Sequence, residues 1–180
     1  MKIFVLAIIL VSLLATMFTT GAACDKVTST KMEYACRACH SEWYNVCEET
    51  LLSAPDGAEV TTYALVATRK ANLKYKETMS KITMMLGDGK LPGKEKEVII
   101  HCKEKYGEAG SQMASGADHL YGCDFRHTRQ EFMNALTAVR SCLDRLHDSF
   151  QNLPLYGMVE ADYALTGVAK DLEGLINVGC

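Results

Sequence analysis

Four stretches of the chain repeat apolar residues at alternating spacings of three and four, the pattern of amphipathic α-helices. The stretches cover residues 65–86, 99–120, 132–150 and 158–175. Four helices that each carry one apolar face bury those faces best against one another, so the sequence predicts an all-α four-helix bundle. The four rows are Leu65, Tyr75, Met79, Ile82 and Leu86, with Thr68 and Asn72 as weaker members; Ile99, Cys102, Tyr106, Ala109, Met113, Gly116 and Leu120; Phe132, Leu136, Val139, Leu143, Leu146 and Phe150; and Met158, Ala161, Leu165, Val168, Leu172 and Leu175.

Turn residues separate the four stretches and keep the connections short. Glycine and proline lie between the first two, at 87–93, and Pro154 precedes the fourth. Between the second and third, Gly122 is placed to end one helix and Asp124 to cap the next. Short connections make neighbouring helices antiparallel, so the predicted order is up-down-up-down. Residues 59–180 form this bundle, and residues 24–58 are predicted to form a disulfide-stapled helical hairpin before it.

The first 23 residues have the pattern of a secretory signal peptide. Lys2 is followed by an apolar run to residue 18 and by small residues, with cleavage expected near Ala22 or Ala23. A membrane anchor is the alternative, but the run is short and ends in small residues rather than charges. We therefore expect a secreted, extracellular protein that has no membrane segment in its mature form.

Composition narrows the class of protein further. The chain of 180 residues is 48% hydrophobic and 23% charged, with a net charge of −3. Loss of Lys2 with the signal peptide brings the net charge to −4. These values are typical of a globular protein and exclude a disordered chain or a basic nucleic-acid-binding domain.

All eight cysteines lie at or after Cys24, so export predicts that they form disulfides. Cys102 and Cys142 lie on adjacent antiparallel helices, each about 30 Å from the turn near residue 123. The two residues are therefore at the same level of the bundle, which predicts a bond between them. The same distance argument places Cys180 beside Cys123 and predicts a second bond. Two unpaired thiols, or an intermolecular bridge, are the alternatives for that second pair.

The four remaining cysteines crowd the N-terminal hairpin. Cys24, Cys36, Cys39 and Cys47 are expected to pair among themselves, and the sequence does not choose among the three connectivities. Zinc ligation by Cys36, Cys39, His40 and Cys47 is an alternative reading of the Cys-x2-Cys spacing. A second such pair is absent and the compartment is oxidising, so we expect no metal and no cofactor.

No motif for catalysis is present in the sequence. The chain lacks the Gly-x-Ser-x-Gly elbow, His-Glu-x-x-His, the P-loop and Gly-x-Gly-x-x-Gly. The histidines are interpreted as structural or solvated, and the mixed-sign charge runs as solvated helix faces rather than nucleic-acid patches. The chain is therefore not expected to be an enzyme. The five histidines are His40, His101, His119, His127 and His147.

Several segments together resemble the plant invertase and pectin methylesterase inhibitor family. Cys47–Ser53, Thr61–Val66 and Asn134–Thr137 are similar to family segments in the same order. Cys102-x3-Tyr106-x2-Ala109 resembles the family's Cys-x3-Tyr-x2-Ala, and the spacing to Cys142 matches the family's bundle disulfide. Pro154-Leu155 and the apolar row after it resemble the last helix. The resemblance covers nearly all of the mature chain.

This resemblance implies inhibition without catalysis. Such proteins dock non-covalently, one to one, over the active-site cleft of an enzyme, and a stapled bundle loses little entropy on binding. The implied location is the apoplast and cell wall of a plant. A net negative inhibitor is also steered towards a basic wall enzyme and repelled by acidic pectin.

Two positions favour pectin methylesterase as the partner. Invertase inhibitors of the family share Pro-Lys-Phe after the Asp of the turn, where this chain has Phe125-Arg126-His127. Thr137 matches the Leu-Thr of pectin methylesterase inhibitors. The predicted target-binding residues are therefore Phe125, Arg126, His127 and Thr137. Against this, residues 165–169 lack the Ser-Asn-Ala-Leu pattern of those inhibitors, and the additional cysteines depart from the family.

Two alternative functions remain open at this point. The first is inhibition of cell-wall or vacuolar acid invertase by the same kind of 1:1 complex. The second is a secreted bundle that inhibits nothing, such as a wall or pollen protein.

Overall fold

The structure is a computed structural model that describes residues 24–148 and 150–176. The predicted signal peptide and Cys180 lie outside the described residues. The helices are α1 (Met32–Arg37), a 3₁₀ turn (Ser41–Trp43), α2 (Tyr44–Leu51), α3 (Val60–Gly87), α4 (Gly93–Tyr121), α5 (Thr128–His147) and α6 (Pro154–Gly174).

The four long helices form a closed ring in which each packs against the next. Helix α3 also packs against α6, which completes the bundle. Gly89 takes a positive φ of 64° in the connection from α3 to α4, and Pro154 starts α6 in the first turn, where its missing N–H is not needed. The predicted all-α, up-down-up-down architecture with an N-terminal helical extension is confirmed.

Helix α4 buries the whole row that its sequence predicts, whereas α6 buries only Leu165, Val168 and Leu172 of its row. Every member of the row from Ile99 to Leu120 is buried. In α6, Ala161 is exposed, and the buried residues include Leu155, Val159 and Asp162 instead. Helix α6 contacts α3, α5 and the N-terminal hairpin, so its buried arc is too wide for a single apolar row to describe.

Helix α3 also departs from its predicted row. Leu65, Met79 and Leu86 are only half-buried. The fully buried positions include Thr68 and Ile82 of the predicted row, but also Tyr63 and small residues at 64, 67 and 71. Alanine on the inner face lets neighbouring helices approach closely, so the larger apolar side chains lie at the edge of the contact rather than in its centre.

A buried polar network links three helices of the bundle. Asp162 of α6 is 2% exposed, and its Oδ2 accepts hydrogen bonds from Thr78 of α3 at 2.6 Å and from Tyr106 of α4 at 2.7 Å. Tyr75 and Thr166 are joined by a 2.5 Å bond, and Thr166 donates to the backbone oxygen of Asp162 at 2.6 Å. Because a buried carboxylate is costly unless it is hydrogen-bonded, these bonds fix the register of α3, α4 and α6.

The N-terminal segment crosses the end of the bundle where α4 ends and α5 begins. Ser29 and Glu59 form an isolated antiparallel bridge, and the Cys24 amide donates to the Glu59 carboxylate at 3.1 Å. Cys24 is bonded to Cys123, and Cys36 is bonded to Cys47. The N-terminal segment is therefore tied to the bundle by one disulfide, and the hairpin of α1 and α2 packs on both α3 and α6.

Two of the disulfide predictions are corrected, and one is met. The Cys102–Cys142 bond is present. Cys123 pairs with Cys24 and not with Cys180, so of the four N-terminal cysteines only Cys36 and Cys47 pair with each other. Counting residues along the helices locates Cys123 at one end of the bundle. The same count cannot predict the path of the non-helical N-terminal segment, which brings Cys24 to that end.

Cys39 has no disulfide partner within the described residues. Its side chain is buried, and its Sγ lies 4.0 Å from that of Cys47. Burial, reinforced by the charge of Asp171, raises the pKa of the Cys39 thiol to about 12. The group is therefore a protonated thiol near neutral pH.

Residues 24–148 and 150–176 contain neither a membrane-spanning helix nor a cluster of metal ligands. No helix there is long and apolar enough to cross a membrane. Over the same residues, no three or more side chains of His, Cys, Asp or Glu converge as metal ligands.

Candidate functional site

The turn between α4 and α5 is rigidly built at one end of the bundle. The Gly122 amide donates to the Asp118 carbonyl at 2.9 Å, and the Asp124 amide donates to the His119 carbonyl at 3.0 Å, which ends α4. Cys123 takes a positive φ of 55°, a conformation that few residues other than glycine adopt. Its bond to Cys24 anchors this turn to the N-terminal segment.

Three of the predicted target-binding residues follow directly in this turn. Phe125 is half-buried and packs against the core. The Arg126 side chain is 80% exposed, and its Nε and Nη2 donate to the two oxygens of Asp124 at 2.8 and 2.6 Å. This guanidinium holds the pKa of Asp124 well below its usual range. The side chain of His127 is exposed beside them.

Asp124 does not cap α5, in contrast to the sequence prediction. Helix α5 begins at Thr128, and the N-cap residue is His127. The Asp124 carboxylate binds Arg126 instead, so the aspartate fixes the direction of an exposed cation. Thr128 is buried and donates to Glu173 of α6 at 2.6 Å.

A row of hydrogen bonds runs along the outer side of α4 and α5, away from the turn. Glu131 accepts from Ser115 at 2.6 Å and lies 2.9 Å from Nδ1 of His119. The Gln112 and Asn134 side chains are joined at 3.3 Å. We call this row, from His119 and Glu131 to His101 and Ser141, the α4–α5 face.

Thr137 lies on the α4–α5 face, apart from the turn. Its hydroxyl donates to the Met133 carbonyl at 2.8 Å, and its side chain is exposed. Nine residues of helix separate Thr137 from Thr128, which is about 13 Å along the axis. The structure therefore brings Phe125, Arg126 and His127 together and places Thr137 on the same side of the bundle, about two and a half turns along α5.

His101 and Ser141 form the far end of this face. The His101 Nε2 and Ser141 Oγ atoms are 3.0 Å apart, a spacing that a serine nucleophile and its base also show. Both residues lie inside helices, where the backbone N–H groups are bonded to carbonyls and are not free to form an oxyanion hole. The pair acts as a link between α4 and α5.

The His119–Glu131 pair is sensitive to pH. The hydrogen bond between His119 and Glu131 is the main cause that raises the pKa of His119 above the ordinary histidine value. The charged form of this histidine is therefore favoured in weakly acidic solution, where the link between α4 and α5 becomes an ion pair.

Sequence reasoning missed most of the α4–α5 face. His101 and His119 flank the apolar row of α4, which marks them as side chains at the edge of the helix contact. Their partners Ser141 and Glu131 are 40 and 12 residues distant, so no local spacing signals the pairs. Only the antiparallel packing of α4 and α5 brings them together.

The fold, the bundle disulfide and the rigid turn define a small helical protein built to present a fixed surface. Two solved structures share this fold. A mutant form of a pectin methylesterase inhibitor from Arabidopsis has a TM-score of 0.72 and 17% identity, covering 82% of this chain and 98% of that chain. A pectin methylesterase inhibitor from Arabidopsis thaliana has a TM-score of 0.59 and 17% identity, covering 81% and 95%.

The family follows from the sequence itself. The model of the plant invertase/pectin methylesterase inhibitor family matches residues 22–171, so the chain belongs to this family. The resemblance stated from the sequence motifs is thereby confirmed. The comparison with curated proteins finds no match. Membership of a family of enzyme inhibitors implies a protein that inhibits an enzyme rather than one that carries out a reaction.

Proposed function

We propose that this protein is a secreted inhibitor of pectin methylesterase that docks non-covalently, one to one, over the active-site cleft of that enzyme. The observation that carries the proposal is the turn after Asp124. In place of the Pro-Lys-Phe of invertase inhibitors, it holds Phe125, Arg126 and His127, with the Arg126 guanidinium fixed by Asp124.

The construction of the α4–α5 face supports a role in docking. Side chains that are already hydrogen-bonded across two helices lose little conformational freedom when a partner covers them. Arg126 and the aromatic ring of Phe125 are residue types that often dominate binding energy at protein interfaces. We place Thr137 in the same interface, since it lies exposed on this side of α5.

The location of the protein is part of the proposal. Residues 1–23 act as a cleaved signal peptide, and the mature chain works in the apoplast and cell wall, where pectin is found. Inhibition of acid invertase is the alternative function, and a bundle without inhibitory activity is the second alternative.

An inhibition panel at weakly acidic pH tests the proposal. The purified mature chain is mixed with pectin methylesterase and, separately, with acid invertase, and the initial rates are measured against substrate concentration. We expect the KM of the esterase to rise with kcat unchanged, because inhibitor and substrate compete for one cleft. Inhibition of invertase alone contradicts the proposal, and inhibition of neither enzyme favours the non-inhibitory bundle.

A matched pair of variants tests the docking surface. Thr137 and Thr83 are both exposed and both donate to the carbonyl four residues earlier at 2.8 Å, but Thr83 lies on α3. Thr137→Arg is expected to weaken inhibition at least as strongly as loss of one interface side chain, about tenfold. Thr83→Arg should inhibit like the wild type. Equal inhibition by the two variants would remove Thr137 from the interface.

A further inference from the structure

Helix α3 is strongly basic in a chain that is acidic as a whole. It carries five basic residues and one acidic residue, whereas the full chain has a net charge of −3. The charges lie on the outer side of the bundle, away from the α4–α5 face. The residues concerned are Arg69, Lys70, Lys74, Lys76 and Lys81, with Glu77 as the single acid.

Four of these cations have no carboxylate partner within residues 24–148 and 150–176, and three of the four form no side-chain hydrogen bond there either. Lys74 pairs with Glu77 at 2.7 Å, and Lys70 donates to the Glu49 carbonyl at 3.3 Å. Arg69, Lys76 and Lys81 form no ion pair over the same residues; Arg69 and Lys76 are exposed, and Lys81 is half-buried. Their charge is therefore available to a partner.

Arg69 and Lys76 lie in line along the helix, since seven residues bring them nearly above one another, about 10 Å apart. Lys81 follows five residues later, about 140° further round the helix axis, so it lies beside this line rather than on it. Leu73, 59% exposed, and Met84, 54% exposed, lie on the same face. We call Arg69, Leu73, Lys76, Lys81 and Met84 the α3 face.

An open groove continues the α3 face towards α4. The groove has a volume of about 860 Å³, with Lys76 and Met84 on one wall and Gly107 and Gly110 on the other. The space beside both glycines is empty, since a Cβ atom added at either position meets nothing within 4 Å. A chain-like ligand can therefore lie along α3 without clashing with α4.

We propose that the α3 face binds polygalacturonate, the polyanion that pectin methylesterase produces, an inference that rests on the proposed function. Each de-esterified sugar carries one carboxylate, so a linear segment that lies along α3 brings several carboxylates to its basic side chains, and the C–H surfaces of the sugars pack on Leu73 and Met84. The methylesterified substrate is uncharged and lacks this attraction. The net negative charge of the whole protein predicts that acidic pectin repels it. The local charge of α3 is positive, however, and α3 is the part that contacts the polymer in this proposal.

The consequence for function is retention at sites of past esterase activity. The α3 face lies on a different side of the bundle from the turn and Thr137, so polymer and enzyme bind at the same time. The inhibitor then accumulates where the product has accumulated, and its local concentration rises as the enzyme works.

Direct binding to the polymer tests this inference. Unesterified polygalacturonate and fully methylesterified pectin are each titrated into the mature protein by calorimetry at low ionic strength. We expect binding to the first only, weakened when salt is raised to about 0.15 M, because salt screens exposed charges and polyanions release counterions on binding. Equal binding of both polymers, or binding to anionic phospholipid vesicles but not to polygalacturonate, overturns the proposal.

Two triple variants separate a local site from net charge. The combination R69E/K76E/K81E reverses the charges of the α3 face, and K31E/K96E/K103E makes the same change of charge at other exposed lysines. The first is expected to lower the affinity for polygalacturonate about tenfold, and the second to change it little. Equal losses in the two variants overturn the site.

The same variants keep this inference distinct from the proposed function. Inhibition is measured with short methylesterified oligomers, which do not engage the α3 face. R69E/K76E/K81E should inhibit the esterase like the wild type while losing the polymer. Failure of the wild type to inhibit rejects the proposed function, whereas failure of the wild type to bind polygalacturonate rejects only the α3 site.

Discussion

The indole ring of Trp43 lies directly against the Cα atom of Gly167, so the N-terminal hairpin docks on α6 at a point where no larger residue fits. Trp43 is 7% exposed and also meets the Tyr163 ring edge-on, with centroids 5.9 Å apart. A second contact joins the hairpin to α6, since the His40 amide donates to the Asp171 carboxylate at 3.0 Å. These contacts make the hairpin part of the bundle rather than a loose extension.

Gly167→Ala is expected to loosen this docking. The added methyl group overlaps the Trp43 ring, and overpacking of this kind costs about 1–3 kcal/mol. Trp43 is the only tryptophan, so its fluorescence in a urea titration reports both stability and docking. Gly157→Ala in the same helix is the control, because its space is open and it should gain about 0.5–1 kcal/mol. Similar unfolding curves for the two variants contradict the contact.

Removal of the three disulfides should destabilise the protein in the order of their loop lengths. The bonds Cys24–Cys123, Cys102–Cys142 and Cys36–Cys47 span 99, 40 and 11 residues. Chain entropy gives losses of about 4.7, 3.9 and 2.8 kcal/mol for the paired Cys→Ser variants. Urea unfolding measures the losses, and a peptide map without reduction checks the pairs. A map in which Cys123 is linked to a cysteine other than Cys24 refutes the first bond.

Stability should rise on mild acidification through two buried carboxyls. Burial is the largest cause that raises the pKa of Asp162 and of Glu173 above their ordinary values. The folded state then binds these protons more tightly than the unfolded state, so stability falls as the pH rises from the ordinary carboxyl pKa through the raised values.

Asp162→Asn isolates this effect for one carboxyl. Asparagine keeps an acceptor oxygen for Thr78 and Tyr106 but does not titrate, so the variant should lose part of the pH dependence of unfolding above the ordinary aspartate pKa. Urea titrations across this range provide the measurement, with Asp88→Asn at an exposed position as the control. An unchanged pH dependence in Asp162→Asn would mean that Asp162 titrates normally.

His119 should titrate above the ordinary histidine pKa because Glu131 accepts its hydrogen bond. The contribution of the pair to stability is present below the ordinary pKa and is lost as the pH rises through the folded value. NMR titration of the imidazole checks the shift. Glu131→Gln is expected to move the titration back, while Glu108→Gln, which removes a carboxylate of α4 that does not bind His119, leaves it in place. A titration unaffected by Glu131→Gln excludes this cause.

The bundle was predictable because its signals are local. The row from Ile99 to Leu120 in α4 repeats at the helical period and is buried throughout, and the Cys102–Cys142 bond follows from helix rise and antiparallel order. The row predicted for α6 was only partly right, because Leu165, Val168 and Leu172 are buried but so are Thr166 and Gly167. A third packing partner, the hairpin, determines that face, and no periodicity within α6 reports it.

The candidate site was also predictable from the sequence only in part. The turn residues Phe125, Arg126 and His127 are consecutive, so their proximity is a property of the sequence. The role of Asp124 was mistaken, because a carboxylate before a helix is suited to capping, whereas here the Arg126 guanidinium competes for it successfully. The positions of Thr137 and Glu131 relative to that turn depend on how α5 is rotated against α4.

By itself, the sequence determined the helical period, the antiparallel order, the bundle disulfide and the family. These features depend on spacing along one or two neighbouring helices, where geometry is regular and distances can be counted in residues. Only the tertiary structure decided the Cys24–Cys123 bond, the burial of Asp162 and the contact between Trp43 and Gly167. Each of these joins segments that are far apart in the chain, and their meeting is set by packing of the whole core rather than by any local preference.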